Sequence, residues 1–282
     1  MSKRVAVTTD AVSAGEFFPY WRRYYASEFG AQNLFVATYR EPPENFAHLP
    51  LGRLIALDVD YSDDLRARLF QDIVRELLTR YDVVIHCDVD EFLAPHPRRA
   101  ASLRDYVETL SAPYVTALGY DVIPADAEGE LRLDGTPLLR QRRWAVATSS
   151  LCKTALTTRP LIWSPGFHFC NAPPRFDDLL LFHFKFADIA RRADWFEAMK
   201  SRATPHSSEH AYYSDAFDKL SASLRVLAAL PKHAGDDALG GQDFVARLGA
   251  SVTLERAGGL FSFPFVVVDA AHEIPEQLRD AF

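Results

Sequence analysis

The sequence predicts an α/β fold in which a mostly parallel, Rossmann-like sheet is flanked by helices. Apolar strand-like runs alternate with helix-like segments along the first third of the chain, and this alternation is typical of parallel sheets. Hydrophobic residues make up 48% of the 282 residues, enough to bury a large core. Helical patterns dominate the last third. We therefore expect a core over residues 1–190 and a mainly helical C-terminal extension over 191–282, packed on the same domain.

Four apolar segments are predicted to be the first strands: RVAVTT (4–9), NLFVATY (33–39), RLIALDV (53–59) and DVVIHCDV (82–89). The aromatic-rich segment 15–30 between the first two predicts a helix that ends at Gly30. The segment 62–81 begins with Ser62 as a helix N-cap and then repeats apolar residues every four positions, which predicts a second helix. The proline-rich connection 40–52 predicts a loop.

Later segments predict strands at 114–124, 161–169 and 179–186, with a late strand at 263–271. Residues 187–203 and 212–230 carry apolar residues at helical spacing.

Composition excludes several classes of protein. The formal net charge of −7 argues against a nucleic-acid-binding surface. No window approaches the roughly 18 apolar residues that a membrane span requires, and the first residues run directly into a strand without a signal-peptide pattern. We therefore expect a cytoplasmic protein. Its three cysteines form no CxxC pair, which predicts small buried residues and no disulfide framework. Basic clusters at 140–144 and 191–192 are most simply solvated arginines, and the alternative is contact with an anionic substrate or a membrane headgroup.

The fourth predicted strand ends in acid, as VVIHCDVDEFL (83–93). If the chain stays extended, His86, Asp88 and Asp90 project from one face. Ligands of open parallel sheets bind beyond the carboxyl ends of the strands. Two neighbouring carboxylates repel unless a cation lies between them, so a divalent metal that also binds the phosphates of a nucleotide fits this position. The structural alternative is a simple strand-to-loop turn, where aspartate is common.

The segment DVDEFL after an apolar strand resembles the DxD element of metal-dependent glycosyltransferases of the GT-A fold. The DxDEF form is similar to a family-2-like group related to the family-92 enzymes. The segments EFFPYWRRYYASEFGAQNLFVAT (16–38) and LLLFHFKF (179–186) also resemble that group, and the resemblance covers roughly residues 4–200. The group usually has an Asn-Gly-Ser-Thr-Asp-like turn after the second strand, and ATYREPPEN stands there instead.

The resemblance implies a GT-A-like core that binds a nucleotide-sugar, with UDP as the expected nucleotide, together with Mn²⁺ or Mg²⁺. It implies transfer of the sugar to a saccharide or glycolipid-type acceptor. Asp90 would bind the metal directly, Asp88 would contact ribose or metal, and His183 would complete the coordination. Lys185 would neutralise the departing diphosphate. The structural alternative for the last two is a core histidine beside a lysine whose stem is buried.

Three further residues are candidates for contacts with the substrates. Lys153 is a candidate for a phosphate contact and has an exposed surface lysine as its alternative. Asp10 ends the first strand, where the resemblance implies that the nucleotide base binds, and is alternatively a turn residue. His168 follows Gly166 in SPGFHF and is a candidate for a substrate contact or a base, with a buried structural histidine as the alternative.

An inverting transferase needs a base within reach of the acceptor hydroxyl. The candidates are Glu91, His168, Asp177 and Asp178, which the sequence does not rank. Along an extended strand Glu91 would point away from Asp88 and Asp90.

Two other functions remain open. A haloacid-dehalogenase-like phosphatase also places DxD after an apolar strand, with Lys153 and Asp177–Asp178 as its remaining parts. Against it, Glu91 and Phe92 stand where that family usually has Thr or Val, and three strands precede the motif here. The second alternative is a non-catalytic module that binds nucleotide or sugar. Zinc and EF-hand calcium sites are disfavoured because the ligand spacing does not match.

Overall fold

The fold is described from a computed structural model of the chain. The structure describes residues 2–11, 16–46, 49–125, 128–235, 239, 241–255, 258–266 and 268–282.

Helices and strands alternate along the first part of the chain. The strands are β1 (Val5–Asp10), β2 (Leu34–Tyr39), β3 (Arg53–Leu57), β4 (Val83–His86), β5 (Glu91–Pro95), β6 (Tyr114–Thr116), β7 (Leu118–Ile123), β8 (Trp144–Ala147), β9 (Thr154–Thr157), β10 (Leu179–His183), β11 (Lys232–His233), β12 (Thr253–Glu255), β13 (Leu260–Ser262) and β14 (Ala271–Glu273). The helices are α1 (Phe18–Phe29), α2 (Asp63–Leu77), α3 (Leu103–Thr109), α4 (Leu138–Gln141), α5 (Arg192–Arg202), α6 (Ser208–Ala228) and α7 (Gly241–Ser251).

The first six-stranded sheet has the order β3-β2-β1-β4-β9-β6. Its first four strands are parallel, and β9 and β6 complete it in antiparallel pairings. The 3-2-1-4 order of the parallel strands is that of a Rossmann-like half. The predicted α/β class and the four predicted N-terminal strands are therefore confirmed.

A second six-stranded sheet has the order β11-β14-β8-β7-β10-β5. It is mixed, since β10 runs parallel to β7 and antiparallel to β5. The sequence predicts two of its strands, since β7 lies within 114–124 and β10 within 179–186, but it does not predict the sheet itself, whose other strands include short ones from the C-terminal part of the chain. Two strands of the C-terminal extension, β11 and β14, belong to it, so the extension adds strands to the core sheet as well as helices.

Local signals in the sequence explain the two helices that flank the first sheet. Helix α1 ends at Gly30, whose φ of 88° is in the left-handed region that glycine adopts readily. Helix α2 begins after Ser62, whose side chain accepts a hydrogen bond from the Leu65 amide. Tyr24 and Tyr25 of α1 bind both backbone groups of Leu93, at 2.6 Å and 3.0 Å, and so hold the start of β5 against the helix.

Three predicted strands differ in the structure. The predicted strand 114–124 is two strands, β6 in the first sheet and β7 in the second. Strand β4 stops at His86, and the chain turns before β5 begins at Glu91. Residues 161–169 form no strand: Pro165–Phe167 is a 3-10 turn, in which Gly166 has a φ of 71°. The predicted late strand at 263–271 lies partly outside the described residues, and strand pairing is seen on either side of it, in β13 and β14.

The described residues include no helix that is both long and apolar enough to cross a membrane. The cysteines Cys87, Cys152 and Cys170 are buried and free, as predicted.

Candidate functional site

The DVD segment forms a turn between β4 and β5. The Asp88 amide donates to Oε2 of Glu91 (3.1 Å), and the Glu91 amide donates back to the Asp88 carbonyl (3.0 Å). This turn overturns two expectations. His86 does not share a face with the aspartates, because its ring packs between Phe70 and Phe167 at centroid distances of 4.3 Å and 4.2 Å. Glu91 does not point away from them, because its carboxylate closes the turn.

A cavity of about 730 Å³ lies over this turn, beside the ends of β1 and β10. Eight of the nine predicted site residues line it: Asp10, Asp88, Asp90, Glu91, Lys153, His168, His183 and Lys185. The exception is Asp178. It lies at the start of β10, whereas His183 ends that strand. The carboxylate of Asp178 pairs with Arg98 (2.8 Å) and is 39% exposed. Neighbouring Asp177 faces Arg99. The fold thus separates both from the site, and we do not retain Asp178 as a candidate base.

Two buried cations neutralise Asp88. Nζ of Lys153 lies 2.9 Å from Oδ2 of Asp88 and 2.6 Å from Oε1 of Glu91. Arg66 contacts Oδ1 of Asp88 and also pairs with Asp10 at 2.9 Å. Lys153 and Arg66 are 5% and 6% exposed, so the surface-lysine alternative for Lys153 does not hold. Burial tends to raise the pKa of Asp88, but Arg66 and Lys153 hold that pKa well below its ordinary value.

Asp90 lies between a different pair of partners. Nη2 of Arg192 is 2.5 Å from Oδ2 of Asp90, and Nε2 of His183 is 3.7 Å from the same oxygen. Burial opposes ionisation here too, but Arg192 and His183 keep the pKa of Asp90 below its ordinary value. The other ring nitrogen of His183, Nδ1, is 2.8 Å from Oδ1 of Asp121.

The cavity is rich in acid despite its cations. Asp10, Asp88, Asp90, Glu91 and Asp121 all line it, against the buried Arg66, Lys153 and Arg192 and the half-buried Lys185. Burial raises the pKa of Asp10, and burial together with Asp88 raises that of Glu91. Both shifts come chiefly from burial, which disfavours the charged form of a carboxyl group, with the charge of Asp88 adding to it.

His168 lines the cavity with a defined tautomer. Its Nδ1 is 2.6 Å from the Ser150 carbonyl, and because a carbonyl only accepts, Nδ1 carries the proton and leaves Nε2 as the acceptor. Burial, assisted by the charge of Lys153, lowers the pKa of His168 to about 4, so the ring is neutral at pH 7. The imidazole ring of His168 lies against Gly166, and a Cβ added to Gly166 would be 2.8 Å from Nε2 of the ring.

Three site residues were missed in the sequence: Arg66, Asp121 and Arg192. The fourfold apolar repeat of the sequence runs through Leu65, Leu69, Ile73 and Leu77. The buried face of α2 instead includes Arg66, Phe70 and Val74, each one position further along the helix, together with Leu77. An arginine at the same fourfold spacing as Phe70 and Val74 was the available signal. Asp121 is a single acid within the apolar strand β7, which is a second such signal. Nothing local distinguishes Arg192 from its neighbour Arg191.

The donor set fits a divalent metal held by two protein ligands, Asp90 and His183. Bonds from such a metal to oxygen or nitrogen are about 2.0–2.2 Å long, so two donors 3.7 Å apart can share one ion. Oδ2 of Asp90 also accepts a hydrogen bond from Arg192 (2.5 Å), so a metal there would share this oxygen with the guanidinium group. Asp88 is a poorer ligand, because a cation contacts each of its two oxygens. Within the described ranges no group of three or more His, Cys, Asp or Glu side chains is arranged as a metal site. The remaining ligands would have to come from substrate oxygens and water.

Comparison with known proteins identifies no family for this chain. No protein-family model matches the chain, and no curated protein matches it. The crystal structure of mannose-1-phosphate geranyltransferase from Thermus thermophilus is similar over 75% of this chain and 67% of that chain, with 10% identity and a TM-score of 0.30. A TM-score of 0.30 is too low to support an assignment of activity.

Proposed function

We propose that this protein is a metal-dependent glycosyltransferase that moves a sugar from a nucleotide-diphosphate donor, most simply a UDP-sugar, to a hydroxyl of a saccharide or related acceptor. The observation that carries the proposal is that the DVD turn, His183 and a set of cationic side chains converge on one cavity beside the ends of β1 and β10. Ligands of open α/β sheets bind at such ends. The volume of about 730 Å³ lies within the range of small-molecule sites.

Asp90 and His183 are the residues that would hold Mn²⁺ or Mg²⁺. When bound, the metal supplies Lewis-acid stabilisation of the charge that develops on the leaving diphosphate. In this proposal Asp88 has a different role from Asp90. It anchors Arg66 and Lys153 in the wall of the cavity, where they can attract phosphate oxygens.

Lys185 is the most adaptable cation of the site. Its Nζ donates to the Tyr212 hydroxyl (3.1 Å) from a half-buried position just beyond β10. This partner is neutral, and no acid competes for the ammonium group in that contact. A lysine on a flexible stem can therefore turn towards a phosphate as a point charge, as the sequence suggests.

His168 is the base that the geometry favours for an inverting reaction. Its Nε2 is free of the Ser150 hydrogen bond and unprotonated at pH 7, so its lone pair is available to the proton of an acceptor hydroxyl. A pKa of about 4 makes the free ring a weak base, so in this proposal the negative charge of the bound donor raises that pKa towards the working pH. Glu91 fits this role less well, since Lys153 and the Asp88 amide occupy its two oxygens.

The phosphatase alternative loses support. Its nucleophile would be Asp88, whose oxygens both face cations, and its remaining acids would be Asp177 and Asp178, which lie outside the cavity. A non-catalytic binding module would have the same cavity and would differ only in turnover.

A thermal-shift measurement tests the proposal. We expect UDP with Mn²⁺ to raise the melting temperature of the wild type by about 5 °C at saturating concentrations, because a ligand that binds only the folded state stabilises it by mass action. The increase should vanish in Asp90→Ala and persist in Asp178→Ala, the matched carboxylate outside the cavity. Release of UDP from a UDP-sugar by the wild type then separates an enzyme from a binding module. No response to any nucleoside diphosphate, together with phosphate release from a phosphomonoester, would overturn the proposal.

A further inference from the structure

Asp121 and His183 form a pair fixed by the second sheet. They stand opposite each other in the parallel register of β7 and β10, and both are buried, at 8% and 9% exposure. Their side chains meet at 2.8 Å between Oδ1 and Nδ1. Both residues belong to strands inside the sheet, so the hydrogen bonding between the two strands fixes their relative position. No loop has to become ordered to bring them together.

This pairing decides which ring nitrogen of His183 faces the site. An ionised carboxylate only accepts hydrogen bonds, so Nδ1 carries the proton and donates it to Asp121. The remaining nitrogen, Nε2, faces Oδ2 of Asp90 at 3.7 Å. On the other side of β10, His183 stands opposite Glu91 of β5, so the strand is held from both edges at this residue.

We infer that Asp121 is a positioning residue that fixes the ring of His183 with Nε2 directed at the metal position beside Asp90. A histidine that binds a metal through one nitrogen usually donates its other N–H to a carboxylate or carbonyl, which sets the tautomer and makes the ligand more basic. This inference rests on the proposed function, since it requires a metal between Asp90 and His183. A purely structural Asp121 would stabilise the sheet without affecting metal affinity.

The test measures Mn²⁺ binding directly, by titration of the intact protein in the presence of UDP. We expect Asp121→Asn to weaken Mn²⁺ binding by about 10–100-fold, the range typical of such partner residues. The matched control is Asp188→Asn. Asp188 is a carboxylate that accepts from the Leu131 amide (2.8 Å), pairs with Arg191, and does not line the cavity. Its substitution should leave Mn²⁺ affinity unchanged.

A double-mutant cycle separates positioning from general destabilisation. If Asp121 acts through His183, its substitution should have no further effect on Mn²⁺ affinity in a His183→Ala background. An undiminished effect in that background, or wild-type affinity in Asp121→Asn, overturns the inference and leaves the proposed function standing. Absence of Mn²⁺ binding to the wild type overturns both.

Histidine NMR of the wild type provides a readout that does not depend on any variant folding. With Mg²⁺ and UDP bound, the nitrogen chemical shifts of His183 should show a protonated Nδ1 and a coordinated Nε2. Coordination through Nδ1 would contradict the role of Asp121.

Discussion

Nζ of the buried Lys153 lies 2.9 Å from Oδ2 of Asp88, whose side chain is 24% exposed where it lines the cavity. The same ammonium group also faces Glu91, so one lysine compensates two acids of the DVDE segment. A buried ion pair contributes little net stability, but removal of one partner leaves an uncompensated buried charge.

We therefore expect Lys153→Met to destabilise the fold strongly, by about 3–5 kcal/mol in the free energy of unfolding. Urea unfolding at pH 7 measures this. Lys185→Met is the matched control, because Lys185 is half-buried and its ammonium group donates to the Tyr212 hydroxyl, while Asp90 keeps Arg192 as its partner when Lys185 is removed; its effect should stay below about 1 kcal/mol. Equal stabilities of the two variants would contradict the buried-pair description.

The parts of the site that the sequence predicted are those encoded by local pattern. Asp10 was found because it ends an apolar run, and the DVD turn because it follows one. The predicted direction of the Glu91 side chain is wrong, because the alternation of side chains along β4 ends with the strand at His86. Lys153 was identified, but its burial was not, because the acids that compensate it are more than 60 positions away in sequence.

The sequence does not predict that three further residues reach the site: Arg66, Arg192 and Asp121. Each reaches the site from an element whose rotation or register depends on tertiary packing: the buried face of α2, the start of α5 and the middle of β7. A single sequence does not determine those placements. An ionisable residue within an otherwise apolar pattern nevertheless indicates a candidate site residue.

Asp178→Asn should leave the site unaffected. The residue pairs with Arg98 at the protein surface, and exposed ion pairs contribute about 0–1 kcal/mol. We expect nucleotide-dependent stabilisation and any sugar transfer to match the wild type, and the free energy of unfolding to fall by less than about 1 kcal/mol. A loss of transfer at unchanged stability would return Asp178 to the list of candidate bases.

The pKa of His168, lowered to about 4, makes stability depend on pH. Above pH 6.5 the ring is neutral in both the folded and the unfolded chain. As the pH falls from about 6.5 to about 4, only the unfolded chain takes up this proton, so the free energy of unfolding falls by up to about 1.4 kcal/mol per pH unit.

His168→Gln should remove this contribution. Urea unfolding of the wild type and His168→Gln at pH 7, 6 and 5 is the measurement, and the variant should lose less stability per pH unit. Parallel curves would show that His168 is not held neutral in the folded state.

Gly166→Ala tests how His168 is accommodated. Gly166 has a φ of 71°, where a side chain is strained by about 1–2 kcal/mol, and its Cβ would also lie 2.8 Å from Cδ2 and Nε2 of His168. Gly235→Ala is the matched control, because Gly235 has a φ of 74° and a Cβ added there would meet no atom of the described residues within 4 Å. Both alanine variants should therefore lose about 1–2 kcal/mol of stability from backbone strain.

The two glycine variants should differ in catalysis. Gly166→Ala should displace the imidazole of His168 and slow sugar transfer, whereas nucleotide-dependent stabilisation should be retained because Asp90 and His183 are unaffected. Gly235→Ala should transfer sugar at the wild-type rate, since Gly235 does not line the cavity and its added methyl group would contact none of the described residues. Equal transfer rates in the two variants would show that the position of His168 does not matter for the reaction, and would remove it as the proposed base.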